Sequence, residues 1–448
     1  MKKSNLFILA LAAPTLLTGI TSCNNQTHKV NHEKFVDSTS GLDFLYEVTY
    51  HDYSWSDVTK WMNSQKNVNS HQGGFGCSSI HYGNYYGRSF DFCITQMEEF
   101  LVRTKHENGH YASLGVAIAD CNMNKENVEN INDGKGDETD LLNEKMLPFT
   151  MVDGINENGV VCNTNVVPAK DLIPHEGEEK YHTRGTNPGK PDLFYQFMPR
   201  FILDNAKSAE HAVELLKNRN LTAVNKNGNV CDYLGVSKMG YELHCMIADK
   251  DDTYVIEMMD DYMNIIHSGS NVMTNYYLTN QSPSGAGLER YDLLFNDLLS
   301  WQNGKATCDL KAMKETIQKV QYSPCYDPKW DGDGTTNAKW PTEFAGCDII
   351  NEEGAQEKLT FYNASKWCED NWTKDAKLQD QLNKVYNEQV LQQLKNPSKR
   401  PLKLKEGLPW ISTHAEVYDI ENKTLHLVTQ EKGKTETDSS YDFKEFKL

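Results

Sequence analysis

The sequence is poor in basic charge and, beyond its first residues, lacks any long apolar run. Lys and Arg number 45 against 63 Asp and Glu, which gives a formal net charge of −18. So acidic a chain repels phosphate backbones, and nucleic acid is therefore not an expected partner. No later run is long and apolar enough for a transmembrane helix. The 448 residues, 38% of them hydrophobic, predict one large globular domain or two smaller ones with a hydrophobic core.

The first 23 residues have the features of an export signal. Lys2 and Lys3 precede the apolar stretch Leu6–Leu17, which is too short to span a bilayer. The letters ITSC, ending at Cys23, resemble the lipobox of bacterial lipoproteins. The resemblance implies cleavage before Cys23 and lipidation of its thiol, and hence an exported, membrane-anchored lipoprotein at the periplasmic face or cell surface. The alternative is an ordinary secretory signal followed by an incidental cysteine.

Eleven cysteines are present, and an exported protein can form disulfides. Their connectivity cannot be read from the sequence. The pairs Cys308/Cys325 and Cys347/Cys368 bracket loop-rich segments and are therefore the better disulfide candidates.

Short strands are predicted at both ends of the chain, with helices grouped between them. The letters CSSIHYG and YYGRSFDFCI flank Gly83-Asn84, and this pattern around a turn predicts a hairpin. A closing hairpin is predicted over Ser412–Gln430, and helices are predicted within Asp192–Asn218 and Gly287–Trp301. This grouping predicts an α+β fold of stacked antiparallel sheets covered by helices.

Other segments are predicted from polarity and from capping residues. Asn122–Asp140 is rich in Asn, Asp and Glu and is predicted to be a loop. Ser56 is predicted to cap a helix that extends to Met62, and Ser208 a later one. The spacing of apolar residues predicts an amphipathic helix over Lys374–Leu394.

The stretch GGFGCSSIHYGNYYGRSFDF places a thiol, a guanidinium and a carboxylate close together, at Cys77, Arg88 and Asp91. A cysteine nucleophile needs cationic neighbours that lower its pKa and a base that takes its proton. His81 lies on the same strand, too far along it for a direct hydrogen bond to the thiol. If Cys77 became the first residue of the chain, its own α-amine, with a pKa near 8, would serve as the base. Asp91 would then hold this amine, and Arg88 would favour the thiolate.

Four motifs in this order resemble the N-terminal-nucleophile cysteine hydrolases of the choloylglycine hydrolase superfamily. The members include bile salt hydrolases, penicillin V acylases and an acid ceramidase-like branch. The motifs are Cys77 with Arg88-x-x-Asp91, DGINENGVVCNTNVVP (Asp153–Pro168), NVMTNYYLTNQSP (Asn271–Pro283) and SPSGAGLERYDLL (Ser282–Leu294). The resemblance implies the αββα sandwich of that superfamily and a hydrolase of linear amide C–N bonds that needs no metal or organic cofactor.

The resemblance also carries individual roles over to this sequence. Asn165 and Asn275 are expected to form the oxyanion hole, with Asn163 and Asn280 as the alternatives. Arg290 matches the arginine of the last motif. Since translation cannot supply a free amine at position 77, cleavage between Gly76 and Cys77 is expected.

These expectations divide the chain into three parts: a lipoprotein signal peptide over 1–22, a lipidated tether and propeptide over 23–76, and a catalytic domain over 77–448. The resemblance covers about Cys77 to Leu294 and the closing hairpin. A segment around 305–408 has no counterpart in the family and is interpreted as an insertion.

The expected substrate is a small-molecule N-acyl amide, such as a conjugated bile acid, a fatty acyl amide or a penicillin V-like amide. Two alternatives are an acyltransferase of the same superfamily and a non-enzymatic ligand-binding surface lipoprotein. A papain-like protease is disfavoured because its cysteine opens a helix, whereas the residues after Cys77 suit a strand. The sequence does not indicate an oligomeric state.

Overall fold

The computed structural model describes residues 31–38, 40, 42, 44–64, 75–92, 98–106, 109–118, 123–168, 179–182, 189–233, 241–258, 262–267, 269, 271–279, 287–321, 348–350, 356–358, 411–429 and 443–448. The strands are β1 (Asn31–His32), β2 (Val36–Asp37), β3 (Leu45–Asp52), β4 (Phe75–Tyr82), β5 (Tyr85–Phe92), β6 (Glu99–Thr104), β7 (Ser113–Ile118), β8 (Asp153–Asn156), β9 (Val161–Pro168), β10 (Glu179–His182), β11 (Asp192–Phe194), β12 (Asn220–Thr222), β13 (Tyr241–Ala248), β14 (Thr253–Met258), β15 (Tyr262–Ile266), β16 (Val272–Met273), β17 (Asp348–Ile350), β18 (Gln356–Lys358), β19 (Ile411–Asp419), β20 (Thr424–Thr429) and β21 (Lys444–Lys447). The α-helices are α1 (Trp55–Ser64), α2 (Lys125–Asn132), α3 (Glu138–Met146), α4 (Met198–Asn205), α5 (Ala209–Lys217), α6 (Leu288–Gln302) and α7 (Leu310–Val320).

Two sheets dominate the described part of the chain. The large sheet has 11 strands in the order β1-β3-β6-β7-β8-β9-β13-β14-β15-β10, with β2 paired to β3. The small sheet has six strands in the order β16-β4-β5-β19-β20-β21. Nearly all neighbouring strands are antiparallel, and β3 with β6 is a parallel exception in the large sheet.

The buried side chains show that the sheets face each other and that helices cover their outer faces. One apolar cluster joins the sheets, with Leu114 and Met246 from the large sheet and Tyr86 and Leu427 from the small one. A second cluster packs α6 and α7 against the small sheet, and a third packs helices α1 to α5 against the large sheet. The order is therefore helix, sheet, sheet, helix, and the predicted α+β sandwich is confirmed.

The predicted hairpins are present. Strands β4 and β5 pair antiparallel, and their turn contains Gly83 at φ +60°, a conformation that glycine adopts without steric cost. Strands β19 and β20 form the closing hairpin. Ser208 caps α5, because its side chain accepts a hydrogen bond from the His211 backbone amide, as predicted.

Two local predictions are wrong. The segment 122–140 is not a loop, since it contains α2 and the start of α3. Asn124 and Asp137 cap these helices, each in a reciprocal capping box that offsets the polar composition. Helix α1 begins at Trp55, and the backbone amide of Ser56 donates to the Ser54 hydroxyl, so Ser54 takes the capping position expected of Ser56.

The described residues between 31 and 64, within the segment interpreted as tether and propeptide, are part of the folded structure. Strand β3 is an interior strand of the large sheet, between β1 and β6. In α1, Trp61 packs against the rings of Phe194, Phe197 and Tyr233. The predicted catalytic portion and this amino-terminal segment therefore share one sheet and one core.

The segment around 305–408 is described only in part. Helix α7 lies within it and packs on β5 and β19, so the region begins with an integral part of the sandwich. The predicted helix over Lys374–Leu394 lies outside the described residues, as do Cys325, Cys347 and Cys368. Cys308 has a free thiol, so its predicted disulfide is not formed. Among the described helices, none has the length and apolarity needed to cross a membrane.

Gly115 lies where β7 and β8 approach most closely. A Cβ atom there would lie 2.2 Å from the Asp153 carbonyl oxygen and 2.5 Å from the Gly154 Cα, both of which are backbone atoms. Because the strands would have to separate, we expect Gly115→Ala to lower the free energy of unfolding by about 3 kcal/mol in urea denaturation. Gly136→Ala is the control, since its closest contact would be a side-chain atom of Asp140 at 3.2 Å. Equal stability of the two variants would contradict this packing.

Candidate active site

Cys77 lies near the start of β4 and is 1% exposed. Three predicted site residues each contact a different part of it. Its thiol sulfur is 4.0 Å from Arg88 Nη2, its backbone nitrogen donates to Asn275 Oδ1 at 2.9 Å, and its carbonyl oxygen accepts from Arg290 Nη1 at 2.6 Å. The structure therefore brings motifs separated by about 200 residues in the sequence to one residue.

The electrostatic surroundings of the thiol are mixed. Burial raises the pKa of Cys77, while Arg88 and Arg290 act in the opposite direction. Burial is the larger effect, so the intact chain holds a neutral thiol. Arg88 therefore acts in the direction that favours a thiolate, but the arginine alone does not produce one in the intact chain.

Arg88 itself is fixed by a buried acidic partner. Its Nη1 donates to Asp153, and its Nη2 donates to the Thr164 carbonyl oxygen at 2.8 Å. Asp153 also accepts from the Tyr418 hydroxyl at 2.5 Å. This aspartate heads the DGINENG motif, whose Asp-Gly pair also suits a simple turn, yet in the structure it is a buried strand residue.

Asp153 belongs to a buried ionic cluster with three residues that were not predicted. His414 Nδ1 is 2.6 Å from Glu99 Oε1, and His414 Nε2 is 3.1 Å from Glu416 Oε2. Burial lowers the pKa of His414, but Glu99 and Glu416 outweigh it and raise that pKa well above its usual value. Burial raises the pKa of Glu416.

The side chains of Asp153, His414 and Glu416 lie close enough to share a metal ion. The Arg88 guanidinium already binds Asp153 and lies 3.8 Å from Glu416. A permanent positive charge at that distance opposes a second cation. These three side chains are therefore better suited to an ion-pair cluster around Arg88 than to a metal centre.

A bulge in β19 lets this strand place polar side chains on both faces of the small sheet. Ser412 pairs with Asp91, and His414 pairs with Phe90, so Thr413 is an extra residue. His414 consequently joins the cluster around Arg88 between the sheets, while Ser412 donates to Asp91 Oδ1 at 2.5 Å.

Asp91 lies beside Cys77 but does not hold its nitrogen in the intact chain. Its carboxylate accepts from Ser89 at 2.8 Å, from Ser412 and, at 3.4 Å, from Arg290 Nη1. Burial raises the pKa of Asp91 to about 6, against the lowering effect of Arg290. The predicted contact with an α-amine remains a prediction for the cleaved chain.

The raised pKa of Asp91 predicts a pH-dependent stability. Between pH 4 and 6 the native carboxyl binds more protons than the unfolded one, so its contribution to stability falls as the pH rises. We compare Cys77→Ala with Cys77→Ala/Asp91→Asn, which have the same uncut backbone. The unfolding free energy of the first relative to the second should decrease by roughly 2 kcal/mol from pH 4 to pH 7. Parallel pH profiles of the two variants in urea denaturation would contradict this prediction.

The side-chain amide of Asn275 has a defined orientation. Its Oδ1 accepts from the Cys77 nitrogen and from Arg290 Nη2 at 2.5 Å, and its Nδ2 donates to the Val166 carbonyl oxygen at 2.8 Å. A flipped amide would set donors against donors. In the intact chain Asn275 therefore holds the nitrogen of Cys77, and its oxyanion role stays a prediction.

Asn165 and its alternative Asn163 are hydrogen-bonded to each other. Asn163 Nδ2 donates to Asn165 Oδ1 at 2.7 Å and to Ser79 at 2.9 Å. Asn165 Nδ2 lies 3.3 Å from the carbonyl oxygens of Met273 and Thr274. Asn165 thus contacts the backbone adjoining Asn275, and within the described part of the chain it makes no hydrogen bond to Cys77. Asn280 lies outside the described residues.

His81 is occupied elsewhere, as its position on β4 suggests. Its ring nitrogens contact the Thr253 hydroxyl at 2.6 Å and the Gly83 carbonyl oxygen at 2.9 Å. Burial lowers the pKa of His81 to about 4. The ring is therefore a neutral structural group between the sheets.

The four-layer αββα sandwich of the described residues is the fold of the N-terminal-nucleophile hydrolases. Residues 77–294, just under half of the chain, match the sequence model of the linear amide C-N hydrolases, choloylglycine hydrolase family. This segment belongs to that family, so the predicted resemblance is confirmed, and the chain is an amidohydrolase acting on linear amides. The non-enzymatic alternative is thereby disfavoured.

Several solved structures are similar to this chain. Two variants of conjugated bile acid hydrolase from Clostridium perfringens share 15% and 14% identity, cover 83% and 84% of this chain and 97% of their own chains, and give TM-scores of 0.35 and 0.30. Penicillin V acylase from Agrobacterium tumefaciens shares 14% identity over 79% of this chain and 82% of its own, with a TM-score of 0.32. No curated protein sequence matches the chain significantly.

Proposed function

We propose that this protein hydrolyses small N-acyl amides through Cys77, after cleavage of the Gly76–Cys77 bond makes that cysteine an amino-terminal residue. One observation carries the proposal. The sulfur, nitrogen and carbonyl oxygen of Cys77 are contacted by Arg88, Asn275 and Arg290 respectively. Buried backbone groups need hydrogen-bond partners in any fold, and at Cys77 those partners include the side chains of two predicted site residues.

The first step of the proposed mechanism is self-cleavage. The Cys77 sulfur attacks the Gly76 carbonyl carbon, the C–N bond breaks, and the nitrogen takes up the thiol proton and becomes the α-amine. Water then hydrolyses the thioester, which gives a carboxylate on Gly76 and a free thiol on Cys77. Gly76 has no side chain to block the approach of the sulfur.

The second step is amide hydrolysis. As the sulfur attacks the acyl carbon, the α-amine takes the thiol proton and then passes it to the leaving amine. The tetrahedral oxyanion receives hydrogen bonds from the proposed donors, Asn165 and Asn275. Water activated by the same amine releases the acid and restores the thiol.

A panel of linear amides tests this function. The mature enzyme should release amine from at least one of three substrate types, namely a conjugated bile acid, a fatty acyl amide and penicillin V. Products are identified by mass spectrometry, so transfer of the acyl group to an added amine would reveal an acyltransferase instead. A correctly processed enzyme that leaves every member of the panel intact would contradict the proposal.

We also propose that the protein is a lipoprotein anchored through Cys23. The motif before Cys23 is the basis for this, and the fold adds a consequence. Because β3 is an interior strand of the large sheet, the piece that carries the lipid would stay docked after cleavage at Gly76–Cys77. The catalytic part would thus remain at the membrane.

We expect Cys23→Ala to move both chain fragments from the membrane fraction to the soluble fraction, because the acyl chains that hold them would be missing. The measurement is fractionation combined with labelling by a radioactive fatty acid. Cys308→Ala is the control, since it removes a different free thiol and should leave label and location unchanged. Membrane retention without label in both the wild type and Cys23→Ala would disprove the anchor.

A further inference from the structure

A row of buried polar residues crosses the large sheet on the face that meets the small sheet. Asn165 in β9 lies opposite His244 in β13, His244 lies opposite Glu257 in β14, and Glu257 lies opposite Asn264 in β15. All four are fully buried. Polar groups at such a position cost free energy unless they are hydrogen-bonded, so the row needs an explanation.

Three members of the row bind one segment, Met273–Thr279. Its first part is held by Asn165 Nδ2 and by His244 Nε2, which donates to the Thr274 carbonyl oxygen at 2.7 Å. Its last part is held by Glu257. Oε1 of this glutamate accepts from the backbone amides of Leu278 and Thr279, and Oε2 accepts from the Thr279 hydroxyl at 2.5 Å. Asn264 contributes a hydrogen bond to Glu257.

The two holding points lie on either side of Asn275. His244 binds the residue immediately before it, and Glu257 binds residues three and four positions after it. His244 and Glu257 lie on the neighbouring strands β13 and β14 of the large sheet, and residues on strands are held more precisely than residues on loops. Between these points the segment presents Asn275 Oδ1 to the Cys77 nitrogen.

The protonation state of His244 is suited to this task. Burial lowers the pKa of His244 to about 4, so the ring is neutral at physiological pH and donates from Nε2. Its Nδ1 has no hydrogen-bond partner among the described residues. The ring therefore makes one directed bond, to the Asn275 segment.

We propose that His244 and Glu257 are positioning residues that clamp the segment 274–279 and thereby set Asn275 against Cys77. The proposal rests on the proposed function of Cys77. Misplacement of a catalytic group by about 1 Å costs on the order of 100-fold in rate. Loss of the clamp should therefore lower kcat more than it changes KM.

The test measures hydrogen exchange and kinetics on the same purified, mature proteins. Glu257→Leu removes both acceptors at similar volume, and we expect at least about 10-fold faster exchange in a peptide covering 273–279 and about a 100-fold loss of kcat, with KM within about 3-fold. Glu257→Gln keeps one carbonyl acceptor and should restore kcat to within about 5-fold of wild type. His244→Phe should resemble Glu257→Leu, and His244→Gln, which keeps a side-chain N–H donor, should recover part of the loss.

Thr253→Val is the matched control. Thr253 lies on the same face of the same strand as Glu257, is buried, and contacts His81 and Asn271. It should keep both kcat and exchange in 273–279 near wild type. The clamp is overturned if Glu257→Leu and His244→Phe leave kcat and exchange unchanged, or if Thr253→Val lowers kcat and speeds exchange as much as they do. Should the wild type hydrolyse no amide, the proposed function fails, and the exchange data alone still decide whether the clamp exists.

Discussion

Replacing Cys77 with alanine is expected to give a single uncut chain with no amide hydrolysis. The reason is that one sulfur atom is assigned to both reactions. It attacks the Gly76 carbonyl in self-cleavage and the substrate carbonyl in catalysis, and alanine has no nucleophile for either. Intact mass spectrometry and the amide panel measure the two outcomes on the same sample.

Cys77→Ser is the control for this prediction. Serine keeps the size of the side chain and the contacts of the backbone nitrogen and carbonyl oxygen with Asn275 and Arg290. It tests whether a hydroxyl, a weaker nucleophile than a thiol, still cleaves the chain slowly. Hydrolysis by Cys77→Ala at more than a trace of the wild-type rate would assign the chemistry to another residue.

Asn275→Ala is expected to lower kcat by about 100- to 1,000-fold, the usual effect of removing one oxyanion donor. The side chain also holds the Cys77 nitrogen, so either function explains a loss. Steady-state kinetics on a substrate from the amide panel provide the measurement, and circular dichroism checks the fold. A kcat within about 3-fold of wild type would remove Asn275 from the mechanism and favour Asn280.

Asn275→Asp separates the two functions. Aspartate keeps an oxygen acceptor for the Cys77 amine and for Arg290 but lacks the Nδ2 donor. If the oxyanion role dominates, Asn275→Asp should be as slow as Asn275→Ala. If holding the amine dominates, as the contacts of the intact chain favour, Asn275→Asp should retain most of the wild-type kcat.

The local parts of the fold follow closely from the sequence. The β4–β5 hairpin is set by alternating strand residues around Gly83, and α5 by its capping serine, Ser208. These features depend on neighbours within a few residues, which a sequence pattern records directly. The loop prediction for 122–140 failed because polar composition was given more weight than the capping residues Asn124 and Asp137.

Site residues could be predicted from the sequence where they lie within a recognisable motif. Cys77, Arg88, Asp91, Asn275 and Arg290 were all predicted in this way, and the structure brings them together. Their partners depend on contacts across the sandwich, which spacing along the chain does not record. Alternation in the letters STHAEVYD does place His414 and Glu416 on one face of β19, and two charged residues on a buried strand face were the available signal.

The integration of residues 31–64 was not predictable from composition. A polar stretch followed by an aromatic-rich helix suits a removable propeptide as well as a docked segment. What decides is the pairing of β3 with β6, a parallel contact between segments about 50 residues apart. Such long-range pairing depends on register and burial in the folded state.

The central claim is that the active enzyme works from an amino-terminal cysteine, and the most direct test is the amino-terminal sequence of purified, active protein. The account predicts a chain that begins Cys77-Ser78-Ser79-Ile80. Its α-amine should react with amine-specific reagents, and this modification should abolish the activity of the enzyme. An active enzyme in which the Gly76–Cys77 bond is still intact would contradict both the cleavage and the terminal-amine mechanism.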